Sequence, residues 1–424
     1  MPVSIPFGKS GIPLHAELDR AEILESHIGE LTADDTEDGL VLAAMAHPID
    51  SPRLKELAVG KKTCTIIISD HTRPVPSKHI IPAMLTELRE GNPEIDVTLL
   101  VATGFHRPTG KEELVAKLGQ EIVDREKIQI HDSRDASTNV QIGVLPSGAA
   151  CVIDKTAAET DLLIAEGFIE PHFFAGFSGG RKSVLPGVSD QVTVLGNHCS
   201  KFIDSPYART GVLDGNPLHI DMLAAAKLAN LAYIVNVIID EQKRVVAAFA
   251  GNPVTAHRKG CDLLLQYCKV KPKQRGDIVI SSNGGYPLDQ NIYQSVKGLT
   301  AAEAAAVPGA VLIMISCCSD GAGGESFYHA LKDCASTQEL AEQILATPQD
   351  HTKPDQWEFQ ILCRVLNKHH VIYVTDPEQR KTIEDMKMAW APDVDSALAE
   401  ARRIKGEDAH LVVIPNGISV MVGG

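Results

Sequence analysis

At 424 residues, 44% apolar and 22% charged, the chain has ordinary globular composition and enough length for more than one domain. Its formal charge of -15 argues against a nucleic-acid backbone or an anionic membrane as the main partner. No apolar run approaches the roughly 20 residues of a membrane span. The N-terminus, Met-Pro-Val-Ser-Ile-Pro-Phe-Gly-Lys, lacks the apolar segment of a signal peptide, so a cytoplasmic protein is expected. The nine cysteines include no Cys-x-x-Cys pair, and most sit in apolar runs, as Cys64 and Cys363 do. They read as reduced core residues, neither a disulfide frame nor a zinc site.

Residues 1–60 are of mixed polarity and suggest only a surface layer of short strands and a helix. A rhythm then begins. Residues 64–70, Cys-Thr-Ile-Ile-Ile-Ser-Asp, read as a strand that leads through His71 and Arg73 into a helix stopping near Gly91. Residues 96–104 read as the next strand, followed by His106, Arg107 and a helix ending near Gly119. Residues 161–167 and 231–239 are further apolar runs. Strands alternating with amphipathic helices predict an α/β fold with mostly parallel sheets covered on both faces.

A basic, proline-containing stretch at 269–276 reads as a linker. It divides the chain into an N-terminal α/β domain, 1–270, and a C-terminal α/β domain, 271–424, with the active site in the cleft between them. Beyond the linker, strands are expected at 277–281, 309–316, 371–375 and 411–415. Thr300-Ala-Ala-Glu303 and Ser336-Thr-Gln-Glu339 fit the capping box that opens a helix. His369 and His370 read as the last turn of a helix, where cations suit its dipole.

Ligands of an open parallel sheet bind beyond the carboxyl ends of the strands. After the first strand come Asp70, His71 and Arg73, and after the second come His106 and Arg107. After the third comes 170–183, which holds His172, the glycines Gly176, Gly179 and Gly180, and the cations Arg181 and Lys182. Such a loop lets backbone N–H groups approach a ligand, because no Cβ intervenes. It is not a P-loop, since Arg181 stands where glycine must precede Lys-Ser. His198 follows in Leu-Gly-Asn-His-Cys-Ser. In the second half, Gln290, Tyr293, Gln294 and Lys297 recur at helical spacing after a double glycine, placed to present an amide and an ammonium to a small anion. A glycine-rich loop, 321–327, and Trp357 are further rim candidates. Solvated surface positions explain any one of these residues alone; their joint placement at strand ends is less easily explained that way. Zinc-hydrolase, nucleophile-elbow and Gly-x-Gly-x-x-Gly motifs are absent.

The runs at 69–76 (Ser-Asp-His-Thr-Arg-Pro-Val-Pro), 102–108 (Ala-Thr-Gly-Phe-His-Arg-Pro) and 172–187 resemble the nickel-dependent lactate racemase family. So do those at 283–294, 296–298 and 354–357 (Pro-Asp-Gln-Trp). The resemblance covers residue 64 to the C-terminus. It implies racemisation of lactate, or of a sister 2-hydroxy acid such as malate or phenyllactate. It also implies nickel held in a pincer nucleotide, a pyridinium-3-thioamide-5-thiocarboxylic acid mononucleotide, joined covalently to Lys182. By the same resemblance His198 is the metal ligand, and His106 and His172 are the two acid/base residues. Arg73, Gln294 and Lys297 would orient the substrate carboxylate, with Tyr293 and Trp357 beside it and Asp70 near the cofactor. Thr72, Gly176 and Gly179 are expected, from position alone, to hold the nucleotide. The partners implied are the small 2-hydroxy acid and the proteins that mature the cofactor and insert nickel.

The residues suit that chemistry. Proton removal from C2 would set a carbanion beside a carboxylate, whereas hydride removal leaves a neutral ketone, pyruvate for lactate. Each enantiomer then needs its own base for the hydroxyl proton, and histidine titrates near neutral pH. Two other readings remain open: a two-base racemase that abstracts the C2 proton with a simple metal at His198, and a non-catalytic nucleotide-binding module.

Overall fold

The computed structural model describes residues 3–14 and 20–423. Two six-stranded sheets organise them. In the first, the spatial order is Val245–Gly251, Leu231–Ile239, Leu162–Phe168, Thr63–Ser69, Asp96–Ala102 and Lys127–Ile130. All neighbours are parallel except the first two. In the second, the order is Ala389–Ala391, His370–Val374, Ala306–Ile315, Gly276–Ser282, Leu411–Ile414 and Glu22–Ile23, parallel throughout. The strand Leu162–Phe168 is buried at every residue, as a strand covered on both faces must be. Alternate residues serve different cores. Leu163 and Ala165 join an apolar cluster that also holds Leu312 and Met314 of the second sheet, while Leu162 and Ile164 face a separate cluster with Ile66 and Leu99. The two domains therefore share one continuous core between their facing layers.

The domain boundary is crossed at the N-terminus. The hairpin of Val3–Phe7 and Ser10–Leu14 buries Ile5 and Leu14 against Ile278 and Ile280, and Glu22–Ile23 extends the second sheet. Part of the linker stretch is paired as well, because Lys269–Val270 runs parallel to Met421–Val422.

Two local expectations are corrected. Thr300 does not open a helix. The helix Ile292–Ala305 starts at Asn291, whose side chain accepts the Gln294 N–H, and Thr300 lies within it with its hydroxyl on Lys297 O. The reason is its unbroken apolar face of Ile292, Val296, Leu299 and Ala302, each Ile, Val or Leu contributing about 1.5–3 kcal/mol by burial. Glu303 pairs instead with Arg364 at 2.8 Å. His369 and His370 are not in a helix either. The helix Gln356–Leu366 ends before them, and His370 begins the strand that carries the β-branched Val371 and Ile372. Ser336 does cap its helix, accepting from Glu339 N–H. All nine cysteines are free, with Cys317 and Cys334 partly exposed. No helix among the described residues is long and apolar enough to cross a membrane.

Candidate active site

In the first sheet the connections leave in opposite directions from Thr63–Ser69 and Leu162–Phe168, which lie side by side. A crevice opens at such a switch point, outside the carboxyl ends of the strands. The turns after these two strands and after Asp96–Ala102 converge there. Helix Ile292–Ala305 and the start of helix Gln356–Leu366 close it from the second domain. The result is a cavity of about 440 Å³ lined by Asp70, Arg73, His106, His172, Gly179, Lys182, His198, Tyr293, Gln294, Lys297 and Trp357. The first seven belong to one domain and the last four to the other.

The glycine loop is built by Arg181, not by its own amides. Arg181 is 1% exposed, and its guanidinium donates to the carbonyls of Phe177, Gly179 and Ala175 and to His219 Nδ1. The amide of Ser178 is spent on Glu170 O and that of Gly180 on Asn236 Oδ1. The two neighbouring cations thus have opposite uses. Arg181 ties the loop to the core, while Lys182 lines the cavity. Gly176 does not line it. It pairs with His172 in a tight hairpin at φ +80°, where a Cβ would run into the carbonyl oxygen of Val212. Gly176→Ala is expected to lower the denaturation midpoint by the equivalent of roughly 2 kcal/mol or more; an unchanged midpoint would show that the hairpin can yield.

His106 and Asp70 form a dyad. His106 Nδ1 lies 2.7 Å from Asp70 Oδ2, while Asp70 Oδ1 accepts from the Thr72 hydroxyl at 2.7 Å. Burial opposes ionisation of Asp70, but the hydrogen bond and charge of His106, the charge of Arg73 and the Thr72 hydroxyl outweigh it. The carboxyl is held well below the usual range. An ionised Asp70 can only accept, so His106 carries its proton on Nδ1 and leaves Nε2 as the free nitrogen. Thr72 also receives Arg73 Nη1 at 2.9 Å, so it braces this dyad from outside the cavity wall. His71 and Arg107 turn away, bonding to Thr109 and to Glu113.

His172 is packed on Phe173 and Phe174, at ring separations of 5.0 and 4.6 Å. Burial, then the charges of Lys182, Lys297 and Arg73, keep it neutral by pushing its pKa well down. Its Nδ1 accepts the Ala175 N–H at 3.3 Å, which places the proton of the neutral ring on Nε2. The two histidines are therefore set by different partners: His106 donates from Nδ1 to a carboxylate, and His172 accepts an amide N–H at Nδ1.

His198 is 4% exposed, at the end of helix Gln191–Asn197, between the rings of Phe174 and Trp357. Its Nδ1 donates to Val194 O at 3.1 Å, freeing Nε2 as a ligand atom, and burial holds its pKa down at about 3. Lys182 is likewise driven well below the usual lysine range, by burial and then by Arg181, Arg73 and Lys297, which favours its unprotonated amine. Among the described residues no group of three or more His, Cys, Asp or Glu is placed to hold a metal. A nickel ion here would need most of its ligands from a bound group. One lysine amine and one free imidazole nitrogen in the same cavity fit that requirement.

On the second domain, Lys297 Nζ donates to Gln294 Oε1 at 2.7 Å, and Trp357 Nε1 donates to the Tyr293 hydroxyl at 3.1 Å. Gly298 lets this helix sit on the sheet, since a Cβ would meet Ser282 O at 2.7 Å. Glu358 also lines the cavity and was not singled out from the sequence. Its only signal was adjacency to Trp357.

Residues 7–211 match the model described as the lactate racemase N-terminal domain, and residues 271–422 match the lactate racemase C-terminal domain. A protein named lactate racemase from Thermoanaerobacterium thermosaccharolyticum is 50% identical over 421 residues, 99% of each chain. The chain belongs to the lactate racemase family. A second relative so named, from Lactiplantibacillus plantarum, is 51% identical over 387 residues, 91% of each chain. The lactate racemase apoprotein structure from T. thermosaccharolyticum superposes with a TM-score of 0.96 over the whole of both chains. A Thermotoga maritima protein at 17% identity shares the fold, with a TM-score of 0.66 over 89% of this chain and 99% of its own. Membership makes this chain an isomerase.

Proposed function

We propose that this member of the lactate racemase family interconverts D- and L-lactate, by hydride transfer through pyruvate. The reading is carried by one observation: two differently set histidines, a lysine amine and a ligand-ready histidine line a single interdomain cavity. Lys182 would anchor the nickel pincer nucleotide and His198 would ligate its nickel. When bound, that group supplies a hydride acceptor beside the substrate's C2.

The chain's own residues do the rest. Arg73, Gln294 and Lys297 hold the substrate carboxylate from both domains. His106, with Nε2 free, takes the hydroxyl proton of one enantiomer as hydride leaves. His172, bearing its proton on Nε2, returns one to the ketone after rotation. Trp357 and Phe105, edge to face at 6.0 Å, wall the cavity against water and against escape of the ketone. Maturation proteins would supply the nucleotide and the nickel.

The deciding experiment gives matured protein C2-deuterated lactate in water. Retention of deuterium in the racemised product is expected; wash-out would favour proton abstraction by the same histidines. A companion panel of malate and phenyllactate tests the substrate. For the metal, His198→Ala should keep the mass adduct on Lys182 yet lose nickel by elemental analysis. If nickel stays at the parental ratio, another group is its ligand.

A further inference from the structure

Glu358 is a carboxylate with no assigned use. It is 1% exposed, lines the active-site cavity, and its Oε1 has no hydrogen-bond partner. It stands at the third position of helix Gln356–Leu366, where a glutamate commonly folds back onto the N-cap amide to close a capping box. Here that bond is not made, and the N-cap residue, Asp355, makes no side-chain cap either. Glu358 instead shares the cavity wall with Lys297, Tyr293 and Asp355. Among the described residues no ion pair joins Glu358 to Lys297, although both line the cavity.

Charge arithmetic says what state that ligand requires. Once Lys182 is acylated, the cations of the cavity are Arg73, Arg134 and Lys297, set against Asp70, Glu166, Glu170, Asp355 and Glu358. A further carboxylate entering beside an ionised Glu358 would meet a like charge in a dry site. A protonated Glu358 would instead donate a hydrogen bond, and its buried oxygen would gain the partner it lacks.

We propose that Glu358, as a neutral acid, recognises the substrate carboxylate from the second domain, beside Lys297. This rests on the reading of a 2-hydroxy acid as substrate. Burial acts in the required direction, pushing the Glu358 carboxyl up while lowering Lys297.

The test compares matured parent, Glu358→Gln and Glu358→Met, with the Lys182 adduct and melting temperature checked in each. Methionine keeps the length but donates nothing. A lost hydrogen bond to a charged partner should raise its KM for lactate about 10- to 100-fold with kcat nearly unchanged, whereas glutamine, a neutral donor, should stay within about threefold of the parent. Parental KM in the methionine variant would overturn the assignment. So would a glutamine variant as weak as methionine. A glutamine variant binding about tenfold more tightly would mean that Glu358 is ionised and repels the substrate, which also overturns it. If the matured parent racemises no lactate, the functional reading fails separately. The same comparison is then read from calorimetric binding of oxamate, a small carboxylate, to the matured proteins.

Discussion

Lys182→Ala is expected to yield a folded protein that gains no mass adduct during maturation and racemises no lactate. Lys182 presents a primary amine, held well below the usual lysine range by burial, to a cavity large enough for a mononucleotide, and an alkyl side chain has no nitrogen to acylate. Lys182→Arg should fail in the same way, because a guanidinium stays protonated and cannot replace the amine. In the parent, the adduct should appear on the tryptic fragment that contains Lys182. Full activity from unmatured protein supplied with nickel salt alone would refute covalent anchoring. Since Arg181, not Lys182, holds the loop to the core, loss of Lys182 should leave the melting temperature close to the parental value.

The second large effect concerns the two histidines. Net racemisation needs both half-reactions, so His106→Ala and His172→Ala should each abolish it. Each variant retains one base and should still draw hydride from one enantiomer only. Single-turnover mixing with D- or L-lactate, read by trapped pyruvate, should give opposite preferences in the two variants. A general base contributes roughly 10²–10⁴-fold, which sets the size of the asymmetry. The structure adds a refinement. Asp70→Asn should imitate His106→Ala in its preference but more mildly, because it disturbs only the orientation of His106 and its proton on Nδ1. Equal residual rates for both enantiomers in both histidine variants would refute the assignment of one histidine to each face.

The strands were legible because a parallel sheet demands continuous apolar runs, and 64–70, 96–104 and 161–167 are such runs. Strand-end turns follow from the same rule, so Asp70, His106 and His172 could be named before their meeting was seen. Helix boundaries were less legible. Thr300-Ala-Ala-Glu303 has the letters of a capping box, yet the apolar face on both sides of it carries the helix straight through. His369 and His370 looked like a helix end because charge suits one, but Val371 and Ile372 pull the chain into a strand.

By itself the sequence determined the α/β class, the rhythm of the two halves and the residues that strand ends could present. Local pattern is enough for these, since periodicity and turn chemistry act within a few residues. Tertiary structure decided what the neighbours of each residue are. It turned Arg181 inward and Lys182 outward, though they are adjacent in the chain. It bound Asp70 to His106 across 36 positions and withheld from Glu358 the amide that would have capped its helix. It also carried the N-terminal hairpin onto the second domain, where apolar Ile5 and Leu14 found a face to cover. Those outcomes depend on burial and on which surfaces meet, and neither is a property of a single stretch of chain.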